Sequence, residues 1–427
     1  MSSPDPGEWS APGPGSRARE RARRRQEREL REKAPRAGGL LGERWGRVLV
    51  GTVAALALAT VIGLIALWPG TQHHKSAQGL GGKTLAAKVM RVSDERCPGP
   101  TPQRCKTLVV RVDEGRGRGQ ITRIALGPSN LTSSFNAGDK VRVQALKGAP
   151  AGGTRAAYAF AGLDRRGTLL WLALAFAALV IILARWRGVL ALVGFALSLL
   201  LVTKFLIPAI LAGSPPLLVA VVGSLAVMFV TVGLTYGVTA QSAAAVLGIA
   251  GSLLFAGIVG TIAVHSARLD GHSSEFSNFL STANGGLSLQ GVVLAGLVLG
   301  ALGVLADMGV TQASAVMALR RTNPELPPRR IFSEAFGVGR DHLVATTHTL
   351  VLAYVGATLP LLLVLQASGV GTIDGLNAQD VAEPVVATLV GAMALLISVP
   401  LTTILATALV ARLPAAAIPD GHPGHAH

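Results

Sequence analysis

Residues Leu169–Ile207 read LLWLALAFAALVIILA, then RWR, then GVLALVGFALSLLLVTKFLI. Two long apolar runs stand here on either side of two arginines. A bilayer core asks roughly 18–20 consecutive apolar residues of a helix, and a soluble core has no comparable use for two such runs in succession. The stretch therefore reads as a pair of spanning helices joined by a basic turn, Arg185 and Arg187, on the cytoplasmic side.

The same signal recurs along the chain. Half of the residues are apolar and few are aromatic, so Leu, Val, Ala and Ile supply the hydrophobicity. A first helix is expected at residues 47–68, after Arg44 and Arg47 and before Trp68-Pro69. Its apolar stretch is longer than a signal-peptide core, so it is read as retained, with its N-terminus inside. Further helices are expected near 169–184, 188–207, 217–237, 243–265, 289–309, 345–367 and 385–411. The expected fold is an α-helical polytopic membrane protein of roughly eight transmembrane helices. The stretch Thr311–His342, with Arg320, Arg321, Arg329, Arg330 and Arg340, is expected as an inner loop broken by Pro324–Pro328. The segment with Asp374, Asp380 and Glu383 has no Lys or Arg and is expected outside. Both termini then lie in the cytoplasm of a bacterial inner (cell) membrane protein.

Between the first helix and the rest, residues 69–167 are polar, with short β-type runs at Leu85–Val92, Thr107–Val112, Ile121–Leu126, Lys140–Ala145 and Ala156–Phe160. Val141, Val143 and Ala145 alternate with Lys140, Arg142 and Gln144, the pattern of a half-buried strand. A small all-β extracytoplasmic domain follows, a five-stranded barrel or sandwich of OB-like type. Cys97 and Cys105 are the only cysteines, in CPGPTPQRC. Outside the cytoplasm a disulfide between them is favoured over two free thiols.

The net charge of +16 is concentrated partly in the tail, where Arg17–Lys33 reads RARERARRRQERELREK. Residues 1–46 are expected to be a disordered cytoplasmic tail, helical in part over that run and in contact with anionic lipid. Polybasic stretches beside membrane helices set orientation, so no nucleic-acid partner is expected. Residues 413–427 are expected to be a flexible tail.

From Gly300 the chain carries a specific combination of motifs. Gly300–Asp307 (GALGVLAD), Val310–Val316 (VTQASAV), Asn323-Pro324, Val338–His342 (VGRDH) and Thr349–Ala357 (TLVLAYVGA) stand in that order. Upstream are Leu163–Gly167 (LDRRG) and Arg185–Gly188 (RWRG). Over about residues 155–368 this resembles the YibE/F-like family of bacterial membrane proteins. The resemblance implies a multi-pass membrane domain, here residues 168–412, and brings no established activity. Ala306-Asp307 departs from the paired Asp-Asp that the resemblance would give.

Ionisable residues inside spanning segments are costly and face protein or a water-filled cavity. Asp307 is the first candidate. If its helix continues, Thr311 and Ser314 share its face and Gln312 is nearby, a set able to hold a cation or relay a proton. The alternative is an interfacial helix end at which Asp307 is solvated or caps the next turn. Asp341 is expected to cap the start of the seventh helix, with His342 beside it at the interface. His348 lies deeper, either as a packing residue or as a proton shuttle near Thr349 and Tyr354. Gly296, Gly300 and Gly303 are expected to let helices pack closely.

His265, His272, Asp270 and Glu275 lack metal-ligand spacing, as do His422, His425 and His427 on the tail, so no metal is expected. The Asn130-Leu131-Thr132 sequon is read as accidental. No Ser-His-Asp order, HExxH or Walker sequence is present, and neither an enzyme nor a cofactor is expected. The expected function is a permease or channel for a small ion or solute. The alternative is an accessory or sensor protein whose extracytoplasmic domain binds an envelope partner. A homo-oligomer is compatible with either.

Overall fold

A computed structural model of the chain describes residues 44–70, 84–97, 104–115, 117–129, 132–145, 158–272 and 287–412. The expectations for the basic tail, the Asn130 sequon, Glu275 and the C-terminal histidines lie outside these residues. The chain forms two compact units, one of residues 72–189 and one of residues 1–71 with 190–427.

The first unit opens with five antiparallel strands in the order β3-β2-β1-β4-β5. They are β1 (Thr84–Arg96), β2 (Arg104–Val112), β3 (Ile121–Pro128), β4 (Lys140–Ala145) and β5 (Tyr158–Leu163). β1 is long because it pairs along β2 and also, through Thr84–Lys88, along β4. A bulge between Val89 and Arg91 bends it. β3 and β5, at the two ends of this order, approach each other, and the sheet curls around Val89, Leu108, Val110, Val112, Val141 and Val143. The alternation in β4 puts both valines inside, whereas Ala145 is exposed at the strand end. Cys97, one residue past the end of β1, is disulfide-bonded to Cys105, with their Cα atoms 4.9 Å apart. The bridge ties the residue just past the last paired position of β1, Arg96, to Cys105, which pairs with Glu95 within the β1–β2 hairpin.

Only Asp164 and Arg165 separate β5 from helix α2 (Arg166–Leu201). That run is broken at Arg185, whose φ of 53° and ψ of −132° are not helical. Three residues on, a Cβ at Gly188 would meet the Val180 carbonyl oxygen at 2.5 Å. The chain folds back against itself there, and only glycine leaves room for it. A π-helical turn, Val202–Leu206, and a short helix, Ile207–Leu211, complete the run.

The long elements described in the second unit are helices: α1 (Arg44–Ala66), the later part of the α2 run, α3 (Pro216–Tyr236), α4 (Ala240–Ser266), α5 (Leu289–Thr322), α6 (Pro328–Ala367) and α7 (Gln379–Val410). Seven helical runs among the described residues are long and apolar enough to cross a membrane. Thr239 and Ser242 form a reciprocal capping box at the start of α4, and Ser288 accepts from the Gly291 amide at the start of α5. α5 is the central element, packed against α3, α4, α6 and α7. Contacts are closest at glycines. A Cβ on Gly309 of α5 would meet Ile249 Cγ1 of α4 at 2.5 Å, and one on Gly248 would overlap the Thr402 hydroxyl of α7. At the end of α4, Asp270 accepts from the His272 amide at 2.9 Å and from Gln379 Nε2 of α7 at 2.6 Å. These bonds hold the Asp270 carboxyl below the ordinary carboxylate range, the His272 amide having the larger effect. Gly271 (φ 77°) lies there against the Leu289 backbone.

Two expectations are corrected. The stretch Thr311–His342 is not a loop: α5 continues to Thr322 and α6 begins at Pro328. Ile331, Ala335 and Gly339 form a buried stripe at helical spacing, so the polar first half of α6 is amphipathic. Nor do Gly296 and Gly303 serve helix packing. Space around them is open, and the Tyr354 hydroxyl alone approaches Gly300.

Replacing both Cys97 and Cys105 by Ser is expected to lower the stability of the β unit by about 2–3 kcal/mol, the loop-closure value for so short a ring. Chemical denaturation followed by near-ultraviolet dichroism measures it. Glu114 accepts the Ala86 amide at 3.0 Å and pairs with Arg142, the amide bond being the larger cause of its lowered pKa. A depressed carboxylate stabilises the fold above its unfolded pKa, and that contribution is lost as pH falls through the folded value. Denaturation of Glu114→Gln should therefore be less pH-sensitive than that of the wild type below about pH 4.3; identical acid profiles would remove Glu114 from the linkage.

Candidate functional site

α5 is 34 residues long, about 51 Å at a rise of 1.5 Å per residue. A bilayer core is about 30 Å thick, so α5 extends well past it. Asp307 stands near the middle of this helix and not at its end, which removes the capping reading. Four residues separate it from Thr311 and seven from Ser314, so the three do follow one face.

At Asp307 that face opens on a cleft of about 250 Å³ lined by Ala191, Thr231, Val232, Thr235, Tyr236 and the α5 residues Ala306, Asp307 and Val310. The Asp307 side chain is 67% exposed, and one of its carboxylate oxygens lies 3.7 Å from His342 Nε2 on α6. This is an ion pair when the imidazole is protonated. The residues meet because α5 and α6 form a long antiparallel hairpin around Asn323–Pro327, fastened by Arg320 donating to the Pro324 carbonyl at 2.6 Å.

The other candidates divide between roles. Ser314 accepts from Gln241 Nε2 of α4 at 2.6 Å, extending the polar line from Asp307 toward the start of α4. Thr311 is exposed between them. Gln312 points the opposite way: it is 2% exposed, donates to the Ala335 carbonyl of α6 at 2.7 Å and lies against Gly339. It is a clamp between helices. Asp341 lies inside α6, not at a helix start, so it caps nothing, and like His348 it is exposed. The structure thus brings together Asp307 and His342, with Thr311 and Ser314 along the same line, and leaves Gln312, Asp341 and His348 apart.

Thr231, Thr235 and Tyr236 were missed as site residues. They end an otherwise apolar helix as TVGLTY, and their i, i+4 spacing there was the available signal. Thr231 donates to the Val227 carbonyl of its own helix at 2.8 Å. His265 and His272 do not converge: His265 Nδ1 contacts the Thr261 carbonyl, and His272 Nδ1 lies 3.6 Å from Asp270. A larger groove, about 500 Å³ between α1, α3 and α4, is lined by Ala55, Leu225, Ala250, Gly251 and similar residues and holds no titratable group.

A family model described as YibE/F-like protein matches residues 172–412. The match starts later than the resemblance read from motifs and continues through the last helix. Neither the comparison with curated proteins nor that with solved structures finds a match. The matched span takes in the cleft, Asp307 and His342 together, covers more than half of the chain, and leaves the β strands outside it; this chain belongs to the YibE/F-like family.

Proposed function

We propose that the protein is a membrane permease for a small cation, with Asp307 as the charge that the cation meets. The carrying observation is the placement of Asp307: a carboxylate in the middle of a long helix, open to a cleft whose lining includes Thr231, Thr235 and Tyr236. A charge inside a bilayer is expensive and is retained where it serves a pathway. Hydroxyls and a carboxylate suit a small hard cation, and His342 at 3.7 Å offers a second site for a proton. In this reading a cation reaching Asp307 takes the place of the His342 ring beside the carboxylate. No enzymatic step is invoked.

The reading also assigns a topology. The 46-residue Arg166–Leu211 run is about twice what one crossing needs. Divided at Arg185 it contributes two spans, making eight in all. Arg185, Arg187, Arg320 and Arg321 then face the cytoplasm of a bacterial cell, with both termini, and the β unit with its disulfide lies outside the inner membrane. That the β strands enclose a core of their own favours a second reading, a sensor whose outer domain binds an envelope partner.

Flux into proteoliposomes, read with ion-selective dyes across a panel of monovalent and divalent cations, tests the proposal. Asp307→Asn should abolish flux at unchanged membrane abundance, and Asp307→Glu should retain part of it. Full flux from Asp307→Asn removes Asp307 from the pathway, and none from the wild type with any cation rejects the permease reading. Loss of the cellular phenotype on deletion of residues 75–160, with flux intact, would favour the sensor. Gln312→Ala serves as the contrast: it should cost about 2 kcal/mol of stability, from a lost buried hydrogen bond and a small cavity, while the surviving folded protein transports normally.

A further inference from the structure

The outer face of the β sheet carries a charge arrangement that the transport reading does not use. Ile121, Arg111, Lys88 and Lys140 are direct partners across four adjacent strands, β3-β2-β1-β4. Direct partners in an antiparallel sheet point to the same side. Three cations are therefore set side by side, at a strand spacing of about 4.8 Å. Along the next row Arg123 stands opposite Val109, and Val109 opposite Arg91. Like charges directly opposite one another destabilise a sheet, so this arrangement opposes the folding of the β unit taken alone.

The acidic groups nearby offset only Arg111. Asp113 pairs with Arg111 at 3.2 Å, and Asp139 is engaged with the Asn136 amide at 2.8 Å. Glu114 holds Arg142 at the end of the sheet. Lys88, Arg91, Arg123 and Lys140 have no ion pair among the described residues.

Two further observations choose the partner. Exposed apolar side chains are set among these cations: Ile121 is 61% exposed and Met90, at the β1 bulge, 46%. A soluble polyanion has no use for them, whereas a bilayer surface takes up apolar side chains at the headgroup boundary and cations at its phosphates. The row also ends where the chain enters the membrane. The Lys140 carbonyl accepts from the Asp164 amide at 2.9 Å, and α2 begins two residues later. Two residues span no more than about 7 Å.

We infer that this face docks on the anionic phospholipid headgroups of the leaflet from which α2 starts. Lys88, Lys140, Arg91 and Arg123 meet the phosphates, and Ile121 and Met90 enter the boundary layer. The attraction is electrostatic and is weakened by salt.

Amine acetylation of the full-length protein in nanodiscs, read by mass spectrometry at Lys88 and Lys140, tests this. Both lysines should react several-fold more slowly in discs containing phosphatidylglycerol than in discs of phosphatidylcholine alone, and high salt should remove the difference. Arg91→Glu combined with Arg123→Glu should remove it too, with both reporter lysines in place; formation of the Cys97–Cys105 bridge checks that this variant is folded. Met90→Ser with Ile121→Ser should reduce it. Equal rates in the two lipids overturn the proposal. Protection by soluble polyphosphate in phosphatidylcholine discs, with none from phosphatidylglycerol, overturns it in favour of a soluble polyanion.

Discussion

Close approach of helix backbones at glycine holds the helical unit together. In a bilayer the hydrophobic effect does not draw one apolar helix to another, so van der Waals contact and interhelical hydrogen bonds must do it. Gly309 admits Ile249 of α4, Gly248 admits the Thr402 hydroxyl of α7, and Gly339 admits the amide of Gln312. Each contact is tight enough that a methyl group would collide. Together they seat α5 among its neighbours and so settle which of its faces remains open.

The open face has a different composition. Gly296, Gly300, Gly303, Asp307 and Thr311 are the exposed residues along α5 before Thr322's final turns, spaced by three or four. None of them is a large apolar side chain, although lipid-facing positions elsewhere in the chain carry Leu, Ile and Val freely. A helix meeting only lipid has no reason to thin out its surface in this way. Part of this face, at Ala306, Asp307 and Val310, borders the cleft, where Asp307 supplies the charge. The cation reading rests on this contrast within one helix, between the face that packs and the face that does not.

The β unit is stabilised by other means. It is small, and its core is one layer of Val, Leu and Ile side chains enclosed by the curled sheet. The Cys97–Cys105 bridge secures the far end of the β1–β2 hairpin, and Glu114 with Arg142 secures the opposite end. Its outer face retains unneutralised cations, a burden that a neighbouring anionic surface relieves.

The sequence by itself determined what depends on length, composition and near neighbours. Apolar runs of spanning length located the membrane helices, because the thickness of the hydrocarbon core leaves little freedom. Alternation in Lys140–Ala145 marked β4 at its observed limits, and two cysteines in a short polar stretch marked their own bridge. Only the tertiary structure decided which residues face one another. Asp307 and His342 are far apart in the chain and meet through a helical hairpin that hydropathy alone reads as a charged loop. The amphipathic stripe that reveals this hairpin consists of Ile331, Ala335 and Gly339, two of them too small to register as hydrophobic. Likewise Gln312 and Ser314, two residues apart, bond to α6 and to α4 respectively, because nearby helical positions point in different directions and only the neighbouring helices fix what each direction means.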